Sequence, residues 1–189
     1  MDLIPTPSQT VGPFFHLGLP ANFDGTLAGP NAKGERVRLI CRIFDGDGAP
    51  VPDAMVELWQ ANAEGKYHHP DDFQNKALDP AFRGFGRMAT SQDGSCIFET
   101  IRPGRVSGLG NTWQAPHLTV SVFARGILKR LATRIYFSGE SANGEDAVLA
   151  LVPADRRDTL MAHPDDEHPG TWKFEVHLCG DRETVFFDV

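Results

Sequence analysis

The chain has 189 residues, 41% of them hydrophobic, which suffices for one domain with a real core. Lys and Arg number 18 against 25 Asp and Glu, a formal net charge of −7, which argues against a generic nucleic-acid or anionic-membrane surface. No apolar run approaches the ~20 residues that span a bilayer, and the opening Met1-Asp2-Leu3-Ile4-Pro5 lacks a basic-then-apolar export signal. Cys41, Cys96 and Cys179 are too few and too scattered for a disulfide framework or a cysteine zinc site, so a cytoplasmic protein is expected.

In chain order, residues 1–34 are rich in Pro, Gly, Thr and Asn and lack sustained periodicity. Composition alone allows a frayed terminus, but Phe14, Phe15, Leu17 and Leu19 are costly to leave in water and point to a docked arm. Val37, Leu39, Cys41 and Ile43 alternate with Arg36, Arg38 and Arg42, the signature of a half-buried strand. Asp45-Gly46-Asp47-Gly48 is a strong turn signal. Further strands are expected at 55–59, 96–101, 117–123, 131–137, 171–179 and 184–187, and short helices only at 146–151 and 153–162, with Pro153 at a first helical position. This density of strands and turns predicts an all-β fold, an antiparallel β-sandwich over 35–189 carrying an extended arm and one or two short helices.

Loose metal-ligand candidates are plentiful. The long segment 66–87 holds His68, His69, Asp71, Asp72 and Asp79, and His163, Asp165, Asp166 and His168 crowd a Pro-rich turn. Adjacent polar residues in loops are more often simply solvated, and His177, on the polar phase of its strand, reads as a surface residue. There is no Gly-x-Ser-x-Gly, no Cys-x-x-Cys and no phosphate-cradling glycine loop. Spacing alone yields no catalytic centre.

Longer stretches carry more. DGDGAPVPDAMVELWQANAEGKY (45–67), DPAFRGFGRMATSQDGSCIFETIRPG (79–104), WQAPHLTVSVFARG (113–126) and TRIYFSGE (133–140) together resemble the intradiol ring-cleaving dioxygenases, with TPSQTVGPFFHLGL (6–19) and ETVFFDV (183–189) narrowing the match. The resemblance implies that catalytic chains hold Fe(III) with two tyrosines and two histidines, hard and nitrogenous donors that suit the ferric ion. The Gly-x-Tyr tyrosine is matched by Tyr67, but the residue after Pro103-Gly104-Arg105 is Val106, not tyrosine. The His-x-His pair is reduced to His117 with Thr119, and the arginine expected three residues earlier is Gln114. Tyr67 and His117 thus stand as vestigial ligand positions, and neither a bound metal nor a catalytic residue is expected in this chain.

That loss fits a non-iron alpha subunit whose homologous beta chain holds the Fe(III). The resemblance implies a hetero-oligomer cleaving protocatechuate (3,4-dihydroxybenzoate) with O2 to 3-carboxy-cis,cis-muconate. This chain would lend pocket residues Thr10, Gly12, Pro13 and Arg125, its 1–34 arm would pack on the partner, and Val185-Phe186-Phe187 would join the interface. Two other readings stay open. One is a stand-alone β-sandwich binding an aromatic acid or a carbohydrate. The other is a self-sufficient dioxygenase in which His68 or His69 substitutes for the lost ligands.

Overall fold

A computed structural model defines residues 6–12, 17–19 and 23–188 of the chain. Ten strands are seen among them: β1 (Arg36–Phe44), β2 (Met55–Trp59), β3 (Phe85–Ala89), β4 (Ser95–Ile101), β5 (Val106–Ser107), β6 (Trp113–Gln114), β7 (His117–Phe123), β8 (Leu131–Phe137), β9 (Met161–Pro164) and β10 (Thr171–His177). Eight pair in the order β3-β2-β7-β8-β9-β10-β1-β4, with β5 and β6 a separate hairpin. The half β3-β2-β7-β8 is antiparallel throughout, whereas β8–β9 and β1–β10 pair in parallel, so β9 links the two halves of the sandwich. Between them lies the core. Val37, Leu39, Cys41 and Ile43 of β1 meet Leu118, Val120 and Val122 of β7 with Val56, Leu58, Phe98 and Phe137.

Alternation along each strand decides which residues enter that core. On β1 the arginines at 36, 38 and 42 point to solvent while the residues between them are buried. One buried polar group spans the halves without penalty: Gln60 donates to Ile101 O (3.0 Å) and accepts from Thr100 Oγ1 (2.7 Å). The open edges of the sandwich, β3 and β4, share one cover. Asp24 bridges to Arg87, Thr26 to Glu99 and Ala28 to Phe82, and Leu27 between them is fully buried. Residues 24–28 therefore belong to this chain's own sandwich.

Several expectations change. The 153–162 segment is not an α-helix: Pro153 caps a 3-10 helix at Ala154–Leu160, and the chain continues directly into β9. Leu160 and Ala162 are both fully buried two residues apart, a spacing that a strand serves and a helix does not. The other helix becomes a three-residue 3-10 turn at Leu149–Leu151. Residues 184–187 make no strand, only a bridge from Phe187 to Ala132. Strands β3, β5, β6 and β9 went unpredicted. His177 is buried, 8% exposed, stacked on Phe44 at 5.1 Å beneath the returning C-terminal segment, whose Thr184 Oγ1 accepts from His177 N. Val185, Phe186 and Phe187 are half-buried against this chain's own clusters, so much of the apolar surface expected to meet a partner is covered internally.

Candidate functional site

On β7, Leu118, Val120 and Val122 point into the core, so His117, Thr119 and Ser121 occupy the outer face of the half-sheet. Residues directly opposite share that face. His117 lies opposite Tyr136, and Thr119 sits between Trp59 and Arg134. Two of the four positions that the resemblance gives as metal ligands, His117 and Thr119, are thus set by the register of this sheet.

A third, Tyr67, arrives on a loop built for it. Gly65 has φ +77°, and a Cβ there would stand 1.9 Å from Arg105 O. Across from it a Cβ on Gly104 would meet Ala63 O at 2.4 Å, so the two glycine motifs are the two halves of one backbone clasp. Asn62 Oδ1 accepts from the amides of Glu64 and Lys66, and its Nδ2 donates to Ala77 O. Lys66, the residue before the tyrosine, buries its ammonium against Asp72 (3.3 Å; side chains 9% and 7% exposed) and donates to Gln74 O. Burial alone would raise the Asp72 carboxyl, but hydrogen bonds from Tyr67 N, Gln74 N and Lys66 outweigh it and hold it below the usual range. Tyr67 then stacks on Trp59, centroids 5.8 Å apart and planes 8° from parallel. A cavity of about 630 Å3 opens beside this stack, lined by Trp59, Tyr67, Asp72, Phe73 and Val106, with Phe73 88% exposed at its margin.

Deeper in, Asp146 organises the floor. Its Oδ2 accepts from Ala115 N (2.7 Å) and its Oδ1 from Tyr136 OH (3.1 Å), Val148 N and Leu149 N. Ala115 O lies 2.7 Å from His117 Nδ1, which assigns the proton to Nδ1 and the lone pair to Nε2. Burial, then the neighbouring Arg134 charge, push His117 down to about 4. Burial also raises both tyrosines, 67 and 136, well into the neutral form, with Arg134 pulling the other way. Arg134 Nη1 donates to Gln114 Oε1 (2.6 Å) and reaches Tyr136 OH at 3.4 Å.

These donors do not fit Fe(III). Val106 and Thr119 supply no phenolate or imidazole, and the group directly across from Thr119 is the Arg134 guanidinium, a cation that donates to Gln114 and offers no lone pair to a metal. The nearby histidines are engaged elsewhere in part, though His69 lines the same cavity as Tyr67. His68 Nδ1 faces Phe82 O at 3.4 Å, and His69 stands edge-on to Trp59. Among the described residues no group of three or more His, Cys, Asp or Glu is placed to hold a metal, and no helix is long and apolar enough to cross a membrane. The turn at 163–168 is an Asp165 network: its carboxylate accepts from Lys173 (2.9 Å) and contacts His168, and these bonds bring it to about 2.

Of the expected pocket residues, Thr10 and Arg125 come together. Thr10 Oγ1 accepts a hydrogen bond of 2.8 Å from Gly126 N, joining segments 116 residues apart directly beside Arg125. Arg125 is exposed and has no ion-pair partner among the described residues. A side chain at Gly12 would meet nothing within 4 Å, so this chain's own packing does not require glycine there. Pro13 lies outside the described residues. Sequence reasoning missed Arg134, Tyr136 and Asp146. The hairpin register that puts Arg134 opposite Thr119 was available once β7 and β8 were assigned; the role of Asp146 was not, because it depends on a 3-10 segment folding over the sheet.

A family described as Dioxygenase matches residues 12–178. The chain is 43% identical to the protocatechuate 3,4-dioxygenase alpha chain of Burkholderia cepacia, with 97% of each covered. It is 34% identical to the protocatechuate 3,4-dioxygenase beta chain of the same species, over 80% of this chain and 67% of that one. Among solved structures, the dioxygenase domain of a carbohydrate-binding fusion from Streptomyces sp. SirexAA-E superposes with a TM-score of 0.64 at 27% identity, covering 94% of this chain and 99% of that one.

Proposed function

Because this chain belongs to the intradiol dioxygenase family, we propose that it is the non-iron alpha subunit of a protocatechuate 3,4-dioxygenase. Its partner is a homologous beta chain that holds Fe(III) and supplies the ring-opening chemistry, O2-dependent cleavage to 3-carboxy-cis,cis-muconate. This chain shapes that pocket and binds and orients the substrate's anionic end. The observation that carries the reading is the Thr10–Gly126 hydrogen bond, which ties Thr10 to the turn bearing an exposed guanidinium with no ion-pair partner among the described residues. A glycine at 12 that this chain does not itself need fits close approach by another chain or a ligand. Arginine suits the task, since it keeps its charge and offers directed donors to a carboxylate. Localisation in the cytoplasm accords with reduced Cys41, Cys96 and Cys179.

Co-expression tests this reading. A homologue retaining two tyrosines and two histidines at the ligand positions should co-purify with this chain in equal amounts and cleave protocatechuate. Separate elution of the two chains, or full activity of the partner without this one, would refute it.

A further inference from the structure

Arg134 lies beside the positions that correspond to the family's metal ligands. It lies directly across β7–β8 from Thr119, where a ligand histidine is missing. It donates at 2.6 Å to Gln114, which pairs across the β5–β6 hairpin with Val106, where a ligand tyrosine is missing. Its other contact is Tyr136 OH, cross-strand neighbour of His117. Its charge also acts on both surviving positions, Tyr67 and His117.

We infer that Arg134 has replaced the metal ion as the resident cation among these ligand positions, so that the lost ligands and the arginine form one unit. A guanidinium stays protonated at any pH at which the protein folds. It donates to the neighbouring acceptors, Gln114 Oε1 and Tyr136 OH, that a cation would otherwise polarise. It also repels any second cation placed within a few ångströms in a site of reduced dielectric. Restoring the ligands is then not enough to restore the metal, because the counter-charge is already present.

The test uses the full chain with its ligand set rebuilt, V106Y/T119H, and the same protein with the charge removed, V106Y/T119H/R134Q. The cavity beside Val106 has room for the tyrosine ring. Methionine at 134 is a second version, filling the arginine stem's volume if glutamine does not fold, and circular dichroism identifies which variants are folded. Each is loaded with ferric iron, and bound iron and the visible phenolate-to-iron band are read as differences from wild type prepared identically. Iron held by a co-purifying chain cancels in that difference, so the outcome stands whether or not the subunit reading does. The double variant should gain no iron over wild type, and the charge-free triple should gain about one per chain together with the band. Equal iron uptake by the double variant, or none by a folded triple, overturns the proposal.

Discussion

Replacing Arg125 with alanine separates a substrate-handling residue from a surface turn residue. The side chain is exposed and unpaired among the described residues, so truncation removes no native contact, and stability should stay within about 0.5 kcal/mol of wild type. If the guanidinium donates to the substrate's carboxylate in a closed interface, the lost charge-assisted bond costs ~1.5–3 kcal/mol. That corresponds to a fall in kcat/KM of roughly 10- to 150-fold if the contact persists in the transition state. Were the site to stay wet, the loss would shrink below ~1 kcal/mol, as for exposed ion pairs. The assay is steady-state cleavage of protocatechuate by the co-purified complex, with assembly and iron content verified first. Arg130, exposed on the same turn, is the control, and its alanine variant should leave the kinetics unchanged. Thr10→Val adds a further check. Thr10 acts by holding the Gly126 amide, so its effect should be non-additive with that of R125A. An intact R125A complex with unaltered kcat and KM refutes the pocket role and reduces this chain to a scaffold.

Gly65→Ala should destabilise the chain by about 3 kcal/mol or more, since positive φ and a Cβ 1.9 Å from Arg105 O must both be relieved. Thermal unfolding should then fall by roughly 6–12 °C, and an unchanged melting temperature would mean that the clasp is looser than its geometry. His117 is lowered from 6.5 to about 4, so the unfolded chain takes up its proton first as the pH falls. Its stabilising contribution is complete above pH 6.5 and is lost down to about pH 4, a loss of roughly 3 kcal/mol. Urea unfolding between pH 7 and 4 should show that slope in wild type and a shallower one in H117Q; identical slopes would count against a buried neutral imidazole.

Much of the fold was legible because its strands obey one rule. Met55–Trp59, His117–Phe123 and Leu131–Phe137 appear where their periodicity put them, since one face of each meets the core and alternation is then obligatory. Strands β5 and β9 were not legible. Val106–Ser107 is two residues held by pairing with Trp113–Gln114, and Met161–Pro164 exists only because β8 and β10 flank it. His177 failed for a related reason: its phase on β10 is outward, but the C-terminal segment returns over it, which no local pattern records. In the site, the absence of two ligands was plain from residue identities. What filled their place required the register between two strands.

The persistence of Gly65 and Gly104 shows why motif and chemistry can part company. Both glycines are demanded by backbone contact between 62–66 and 103–105, and Tyr67 by its stack on Trp59, whether or not a metal is ever bound. Likewise His117 is held by Ala115 O, itself placed by Asp146, which ties the 3-10 segment to the sheet through Tyr136. Removing these residues would cost stability, so they outlast the function they serve elsewhere. Val106 lines the cavity and Thr119 stands on the outer face of β7, both outside the apolar core clusters, so these side chains can change without disturbing the core. Metal binding is therefore the property this sandwich can lose most cheaply. The Thr10–Gly126 contact and Arg125 lie on the arm and on the β7–β8 turn, outside that packing, and can keep a role in ligand handling after the metal site is gone.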